Sequence, residues 1–189
     1  MRILILGPQG SGKGTQAKRI AAAYGAPHVA TGDILRAAVS DGSELGQRVR
    51  PILERGDLVP DDLMIELIRE RLADEDAFVL DGFPRTLAQA EALDAMLEEI
   101  GKPLDAVILL RVSDEVATER LHRRAVEEGR SDDTPEVISN RLRLYHELTE
   151  LVVDRYHLAG IEVVVDGEQS MDDVFASIQD ALEGVAAGR

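Results

Sequence analysis

The sequence contains no cysteine, so disulfide bonds, thiolate zinc sites and cysteine nucleophiles are all excluded. It also lacks a long apolar run near its start. The stretch from Ile3 to Leu6 stops at Gly7 and is too short for a signal peptide or a membrane span. With 44% hydrophobic residues over 189 positions, the chain can still bury the core of one domain. We therefore expect a soluble, cytoplasmic, single-domain protein.

Positive charge is scarce as well. Lysine occurs only at Lys13, Lys18 and Lys102, and the formal net charge is −15. A field of this sign repels nucleic acid and anionic membranes, so neither is an expected partner. An acidic chain that binds polyphosphate must therefore gather its arginines locally. The densest group of arginines consists of Arg120, Arg123, Arg124, Arg130, Arg141 and Arg143.

Strand and helix patterns alternate along the chain. Short apolar runs, typical of parallel strands covered on both faces, predict strands at Arg2–Leu6, His28–Ala30, Ala77–Leu80, Ala106–Val112 and Ile161–Val165. Helices are predicted at Lys13–Tyr24, Ile34–Ser40, Glu44–Glu54, Asp61–Leu72, Leu87–Ile100, Glu115–Glu127, Pro135–Leu158 and Met171–Leu182. Candidate helix caps include Thr31 or Asp33 for the second helix and Ser170 for the last. The alternation predicts an α/β fold with a doubly wound, five-stranded parallel sheet flanked by helices.

Two segments interrupt this alternation. Residues 31–60 hold two short helices with no strand between them, which predicts a helical flap outside the sheet. Residues 125–133 form a polar break with Gly129 as a possible hinge, which predicts a short lid. The remaining segments, 1–30, 61–124 and 134–189, would form the core. Both interruptions fall beyond the carboxyl ends of strands, where ligands bind in such folds and where a cover can exclude water.

The string GPQGSGKGT, residues 7–15, follows the first strand directly and opens the first helix. Its glycines let successive backbone N–H groups turn toward an anion, while Lys13 and the helix start add positive charge. The spacing of Gly7, Gly12 and Lys13 fits the phosphate-binding loop of nucleotide-using proteins. The general motif places a serine or threonine directly after the lysine, whereas here Gly14 stands there and the hydroxyl follows at Thr15.

A second string, VLDGFPRT at residues 79–86, ends an apolar strand in a carboxylate. If this strand neighbours the first, Asp81 lies beside the phosphate loop and can hold magnesium or its water ligands. The alternative is that Asp81 caps a helix. Arg85 follows Asp81 by four residues and could hold a phosphate with two hydrogen bonds.

These motifs, with others along the chain, resemble adenylate kinase over nearly the whole length. GPQGSGKGTQ is similar to that family's phosphate loop, which also carries GKGT, and residues 30–36 resemble its STGD-x-x-R segment. Residues 56–61, DGFPRT with Gln89, the run 129–133 with Arg141, and residues 167–169 match further family segments in the same order. The resemblance implies a P-loop fold and a monomer that uses MgATP, AMP and ADP. The short lid implies no zinc-binding hairpin.

The resemblance also assigns residues. The ATP site would comprise Gly10, Ser11, Gly12, Lys13, Gly14, Thr15, Arg120, Arg124 and Gln169. The AMP site would comprise Thr31, Arg36, Asp57, Leu58, Val59, Gly82, Phe83, Pro84, Arg85, Gln89, Arg130 and Arg141. The catalytic cations would be Lys13, Arg85, Arg124, Arg130 and Arg141, with Asp81 at magnesium through a water ligand. Asp132 and Asp133 would orient Arg130 and Arg141 or form a solvated acidic turn. Arg123, Arg143 and the four histidines are expected to be structural or at the surface.

Other functions fit the residues less well. A UMP/CMP kinase of the same fold would place asparagine rather than Gln89 after the FPR segment, because a glutamine amide there suits adenine. An ATP-sensing protein without turnover would not need the second set of phosphate-binding arginines. A regulatory GTPase would carry an Asn-Lys-x-Asp string, which does not occur in the sequence. The expected reaction is reversible transfer of the γ-phosphate of MgATP to AMP, giving two ADP.

Overall fold

The computed structural model describes residues 1–127, 129 and 133–187 of the chain. Its centre is a five-stranded sheet in which every strand pairs in parallel with its neighbours, in the order β2-β3-β1-β4-β5. The strands are β1 Arg2–Leu6, β2 His28–Ala30, β3 Phe78–Asp81, β4 Ala106–Arg111 and β5 Glu162–Asp166. The predicted α/β fold is confirmed, and each predicted strand is present with its ends shifted by at most one residue.

The helices lie between and around these strands. They are α1 Lys13–Tyr24, α2 Thr31–Ser40, α3 Glu44–Arg55, α4 Asp61–Leu72, α5 Leu87–Glu99, α6 Asp114–Glu127, α7 Pro135–Leu144, α8 Glu150–Leu158 and α9 Met171–Ala187. A π-helical turn, Tyr145–Thr149, joins α7 to α8, so the single helix predicted over this region contains a change of helical pitch. Within the described ranges, no helix is long and apolar enough to cross a membrane.

Alternation along the buried strands sends their side chains into two hydrophobic clusters, one on each face of the sheet. One cluster contains Leu4 and Leu80 and extends through α4, α5 and α8. The other contains Ile3 and Ile5 and extends through α1 and α9. A third, smaller cluster packs α6 against α7 through Ala117, Leu121, Ile138 and Leu142. This last cluster places the helices that carry Arg120, Arg124 and Arg141 side by side.

The start of α2 differs from the prediction. The helix begins at Thr31 after Ala30, and no side chain caps it. Thr31 cannot serve as the cap because it is the first helical residue and its hydroxyl donates instead to the carbonyl oxygen of Asp81, at 3.3 Å. At α9 the prediction is confirmed, because the Ser170 hydroxyl accepts a hydrogen bond from the backbone N–H of Asp173 at 3.2 Å.

The segment between β2 and α4 contains α2 and α3 and no strand, as the sequence pattern indicates. The two helices pack closely: a methyl group at Gly46 would collide with the carbonyl oxygen of Ala38. We retain the name flap for residues 31–60 and the name lid for residues 125–133. Their boundaries as domains remain predictions.

Candidate active site

The phosphate loop adopts a conformation that glycine makes possible. Gly10 and Gly12 have φ angles of 87° and 90°, a region that other residues rarely enter. A side chain at Gly10 would also collide with the carbonyl oxygen of Ala117 on α6. Gly12 precedes α1 and provides no side-chain cap, and the first turn of α1 contains no acidic residue. The N–H groups at this helix start are therefore available to an anion.

Lys13 extends from the first residue of α1 and donates to the carbonyl oxygen of Pro8 at 3.1 Å. Burial lowers the pKa of Lys13 to about 8, and the nearby charges of Arg85, Arg124 and Arg141 act in the same direction, whereas Asp81 acts against it. A phosphate placed among these cations would raise the pKa of Lys13 and reduce their mutual repulsion.

A cleft of about 570 Å³ opens over the carboxyl ends of the strands. It brings together most of the predicted site residues. Those that line it are Gly10, Ser11, Gly12, Lys13, Gly14, Thr15, Thr31, Arg36, Asp57, Leu58, Val59, Asp81, Gly82, Arg85, Gln89, Arg120, Arg124, Arg141 and Gln169. Phe83 and Pro84 do not line it; both are buried, and Phe83 belongs to the hydrophobic core. Arg130 and Asp132 lie outside the described residues.

Asp81 lies at the end of β3, where it pairs in register with Ile5 of β1. The predicted magnesium role of Asp81 requires that β3 be the neighbour of β1, and the pairing meets this condition. Burial favours its neutral form, yet the His28 ring, Lys13 and Arg85 together hold the pKa of Asp81 below its usual value. The group is thus an ionised carboxylate facing the phosphate loop, and one of its oxygens, Oδ2, is 3.7 Å from His28 Nε2.

Three charged groups meet on the lid side of the cleft. The carboxylate of Asp133 is fully buried and accepts two hydrogen bonds from Arg124, at 2.8 and 2.9 Å. It accepts another from Nη1 of Arg141 at 2.6 Å. Asp133 therefore orients Arg141, as one of the two sequence interpretations holds, and it also orients Arg124. Because Arg124 and Arg141 share this carboxylate, its negative charge offsets their mutual repulsion, and both can line the same cleft.

The amide of Gln89 is buried and held on both sides. Its Oε1 accepts a hydrogen bond from the backbone N–H of Arg85 at 2.8 Å, and its Nε2 donates to Asp61 Oδ1 at 2.7 Å. Asp61 also accepts from the hydroxyl of Thr86 at 3.0 Å. Because an amide has two acceptor lone pairs and two N–H donors, one of each remains for a ligand. The two fixed contacts determine which end of the amide is the acceptor.

Arg85 lies between the two halves of the cleft. Its Nε donates to the carbonyl oxygen of Gly82 at 2.8 Å. Burial lowers the pKa of Arg85; Asp81 raises it, and the charges of Arg141 and Arg36 lower it. Gly82 has a φ of 85°, and a side chain there would meet the Thr31 hydroxyl at 2.6 Å, so glycine is required at this turn.

The flap contributes Arg36 and the strip 57–59. Arg36 pairs with Asp33 at 2.5 Å and is partly exposed. Leu58 and Val59 provide an apolar surface on the same side of the cleft. Hydrogen bonds from Arg55 and Asn140 lower the pKa of Asp57.

On the opposite side, the loop after β5 is tied to α6. Arg120 donates to the carbonyl oxygen of Gly167 at 2.8 Å. Glu168 accepts hydrogen bonds from the backbone and the hydroxyl of Ser113, each at 2.7 Å. These contacts bring Gln169 and Arg120 to one edge of the cleft.

Several cleft residues are not among the predicted ones. His28 lines the cleft and its Nε2 is buried without a hydrogen-bond partner, although the sequence interpretation gave it a structural or surface role. Its place depends on the register of β2 on β3, which the sequence does not reveal. His28 pairs with Val79, two residues before Asp81, so the side chains of His28 and Asp81 lie on the same face of the sheet. Arg123 is exposed at the surface, as expected, and also borders the cleft. Met171, the first residue of α9, also lines the cleft. Arg143 pairs with Glu147 at the surface, as expected.

The comparisons with known proteins agree with this geometry. The sequence pattern that describes adenylate kinase matches residues 5–161. The chain is 54% identical over 180 residues to an adenylate kinase of Thermus thermophilus, covering 95% of this chain and 96% of that protein. It is 45% identical over 187 residues to the adenylate kinase of Stenotrophomonas maltophilia, covering 97% of this chain and all of that protein. From the phosphate loop, the shared cleft and this similarity over nearly the full length, it follows that the chain belongs to the adenylate kinase family.

Proposed function

We propose that this chain catalyses the reversible transfer of the γ-phosphate of MgATP to AMP, which yields two molecules of ADP. The observation that carries the proposal is the convergence of Lys13, Arg85, Arg124 and Arg141 on a single cleft that has a phosphate loop at one end and the Gln89 amide at the other. A protein that only bound ATP would have no use for the second end.

The donor would occupy the phosphate-loop end. Gly10 to Thr15 would wrap its phosphates with backbone N–H groups, and Lys13 would follow the group that is transferred. Arg120 and Gln169 would lie at the adenine, at the edge that Gly167 joins to α6. Arg124, oriented by Asp133, would extend over the phosphates.

The acceptor would occupy the other end. Arg36 and Arg85 would bind its α-phosphate, and residues 57–59 would contact its base. The fixed amide of Gln89 offers one acceptor and one donor, the pattern that matches the N6 amino group and N1 of adenine. Guanine and hypoxanthine present the opposite pattern at these positions, with an oxygen at C6 and a hydrogen on N1. Holding the amide in one orientation therefore favours AMP over GMP and IMP.

The transfer itself needs no nucleophile from the protein. An oxygen of the AMP phosphate attacks the γ-phosphorus in line, the bond from that phosphorus to the β-γ bridging oxygen breaks, and ADP departs. No general base is required, because the attacking phosphate is already anionic near neutral pH. Catalysis then consists of holding the two phosphates in line and stabilising the charge that spreads over the equatorial oxygens. Lys13, Arg85, Arg124, Arg130 and Arg141 would supply that charge.

Magnesium would enter with ATP. Asp81 and the hydroxyl of Thr15 provide hard oxygen donors of the type this ion prefers, and both line the cleft. Among the described residues, no group of three or more histidine or acidic side chains is arranged to hold a metal, so phosphate oxygens and water would complete the coordination. When bound, the ion would neutralise phosphate charge, and Asp81 would fix its position directly or through water.

Phosphoryl transfer from MgATP to AMP, CMP, UMP and GMP tests the proposal, with Lys13→Ala as the control. We expect transfer to AMP that falls on the order of 10³-fold in the control. Preference for a pyrimidine would retain the mechanism and refute the role of Gln89. ATP binding without transfer to any acceptor would refute the function. We further propose that the protein acts as a monomer in the cytoplasm, and light scattering after gel filtration tests the oligomeric state.

A further inference from the structure

One contact joins the flap to the helix that carries Arg141. The side chain of Asn140, on α7, donates from Nδ2 to the carbonyl oxygen of Arg55 at 3.0 Å and to Asp57 Oδ1 at 3.0 Å. These acceptors lie at the end of the flap, where α3 ends and the chain turns toward α4. Asn140 is therefore bonded to a segment 83 residues earlier in the sequence.

The orientation of the Asn140 amide is determined by its neighbours. Its Oδ1 accepts a hydrogen bond from Arg143 Nη2 at 2.8 Å, and a guanidinium can only donate. The carbonyl oxygen of Arg55 can only accept. Both N–H donors of the amide must therefore face the flap, and the side chain cannot rotate without losing every contact.

The backbone of the flap lies directly on α7 at the same place. Gly56 ends α3 with a φ of 73°, and a methyl group there would lie 2.8 Å from Val137 Cγ1 and 3.2 Å from Arg141 Cγ. The turn thus rests against the stem of Arg141, which belongs to the proposed phosphate site. The next residues, Leu58 and Val59, line the acceptor end of the cleft. A contact that fixes this turn therefore fixes the spacing between residues 57–59, which would contact the acceptor's base, and Arg141, which would contact phosphate.

We propose that Asn140 is a positioning residue for the acceptor site: it holds the turn 55–57 of the flap on α7, so that residues 57–59 and Arg141 meet the nucleoside monophosphate in a fixed arrangement. The inference rests on the proposed function, since it concerns the same cleft. Asn140 does not contact the reacting atoms. It acts by making the flap occupy its binding arrangement before the acceptor arrives, which lowers the ordering cost of binding.

Asn140→Ala tests this against Ser139→Ala, an exposed neighbour on the same helix. We expect the KM for AMP to rise on the order of three- to tenfold in Asn140→Ala, the effect of losing one or two hydrogen bonds. The KM for ATP should change less than about twofold, and Ser139→Ala should match the wild type in both. Equal changes in the two KM values, or none in the KM for AMP, would overturn the proposal, since a purely structural loss does not distinguish the two ends of the cleft.

An exchange of the two partners gives a second test. Asn140→Asp places a carboxylate against Asp57 and should raise the KM for AMP more than Asn140→Ala does. The double variant Asp57→Asn/Asn140→Asp restores an amide facing a carboxylate, so the Asn140→Asp change should cost less in the Asp57→Asn background than alone. Equal costs in both backgrounds would show that the two side chains do not act together.

A third measurement does not depend on activity. Because the sequence has no cysteine, Arg48→Cys on the flap and Glu98→Cys on α5 can be labelled for distance measurement by energy transfer. In the nucleotide-free protein, Asn140→Ala should shift or broaden the distance distribution. An unchanged distribution would contradict the inference even if the protein transferred phosphate to no acceptor, and a shifted one would support it in that case.

Discussion

The guanidinium of Arg141 donates a hydrogen bond of 2.6 Å to the carboxylate of Asp133, whose side chain is completely buried. The same carboxylate binds Arg124 through two further hydrogen bonds. The buried carboxylate of Asp133 thus lies behind the two arginines, which line the cleft. The phosphates of the proposed substrates would meet arginines whose direction is already determined.

Asp133→Asn is the variant that follows from this arrangement. It keeps the shape of the side chain but removes the charge and replaces one acceptor oxygen with an N–H donor. The repulsion between the two arginines is then no longer offset, and at least one arginine N–H faces another donor. We expect kcat to fall about 10²-fold and the free energy of unfolding to fall by about 3 kcal/mol. Steady-state assays and urea denaturation measure the two quantities.

Asp172→Asn serves as the control. Asp172 also pairs with an arginine, Arg19 at 2.7 Å, but its side chain is 89% exposed. Removing that charge should change stability by less than about 1 kcal/mol and leave kcat unaltered. If the two variants behaved alike, the buried position of Asp133 would have no special role.

The pKa of Lys13 predicts how ATP binding depends on pH. In the free protein this pKa is lowered to about 8 by burial, and bound phosphates favour the charged form. Below pH 8 the proton is already present, so affinity should vary little. Above pH 8 binding must take up a proton, and affinity should fall by as much as about tenfold per pH unit. Calorimetry at pH 9 in buffers of different ionisation enthalpy should show this proton uptake.

Lys13→Met provides the comparison for that measurement. It should bind ATP more weakly than the wild type at neutral pH and should show no proton uptake from this position at pH 9. Equal uptake in the two proteins would assign the proton to another group.

Asp61 is expected to control which base the acceptor site takes. It fixes the Nε2 end of Gln89, so Asp61→Ala removes one of the two contacts that orient the amide. We expect the KM for AMP to rise about fivefold, the effect of a lost hydrogen bond of about 1 kcal/mol. Discrimination against IMP, measured as the ratio of kcat/KM values, should decrease.

Asp62→Ala is the matched control, because Asp62 lies in the same first turn of α4 and its carboxylate accepts a hydrogen bond from the backbone N–H of the adjacent Leu63. It shares the favourable interaction of an acidic residue with the helix N-terminus. A loss of discrimination in Asp62→Ala as large as in Asp61→Ala would point to helix stability rather than to amide orientation.

His146 predicts a pH dependence of stability. Its ring lies between Glu150, at 2.7 Å, and Asp114, at 3.0 Å. The hydrogen bond to Glu150 raises the pKa of His146 above its ordinary value of 6.5. Burial acts in the opposite direction, and the hydrogen bond to Asp114 adds to the increase. Because the folded state holds the proton more tightly, the stabilisation is complete below pH 6.5 and is lost as the pH rises through the raised pKa.

His146→Gln should therefore be less stable than the wild type at pH 5.5, and the two should converge at about pH 9. Urea denaturation across this range measures the difference. In an Asp114→Asn/Glu150→Gln background the difference should no longer depend on pH. A constant difference in the original protein would contradict the assignment.

The sequence predicts the sheet, most helix limits and the phosphate loop, because these depend on local signals. Short apolar runs followed by glycine mark β1 and β3, and the spacing around Lys13 is itself the loop. Parallel pairing of β1 and β3 then brings Asp81 to that loop, as the residue order suggests.

The missing features are those that depend on tertiary contacts. The cap expected at Thr31 is absent because its hydroxyl reaches Asp81, 50 residues away. The choice between an orienting and a solvated role for Asp133 depends on burial, which charge and spacing do not reveal. Asn140 and Asp57 are polar residues that a sequence pattern assigns to the solvent-exposed surface, so the hydrogen bond between them could not be predicted from the sequence.

The π-helical turn at Tyr145–Thr149 limits which insertions and deletions this part of the chain can accommodate. The helical halves on either side of it pack on different partners: α7 packs on α6 and the flap, and α8 on α5 and the sheet. A π turn holds an extra residue, and each residue advances an α-helix by about 100°. Deleting one residue here would let the helix run straight but would rotate Val152 and Tyr156 away from the core relative to Arg141. The turn thus sets the rotation of α8 relative to α7, and with it the orientation of the core residues relative to the cleft residues. This position should therefore tolerate substitutions far better than insertions or deletions.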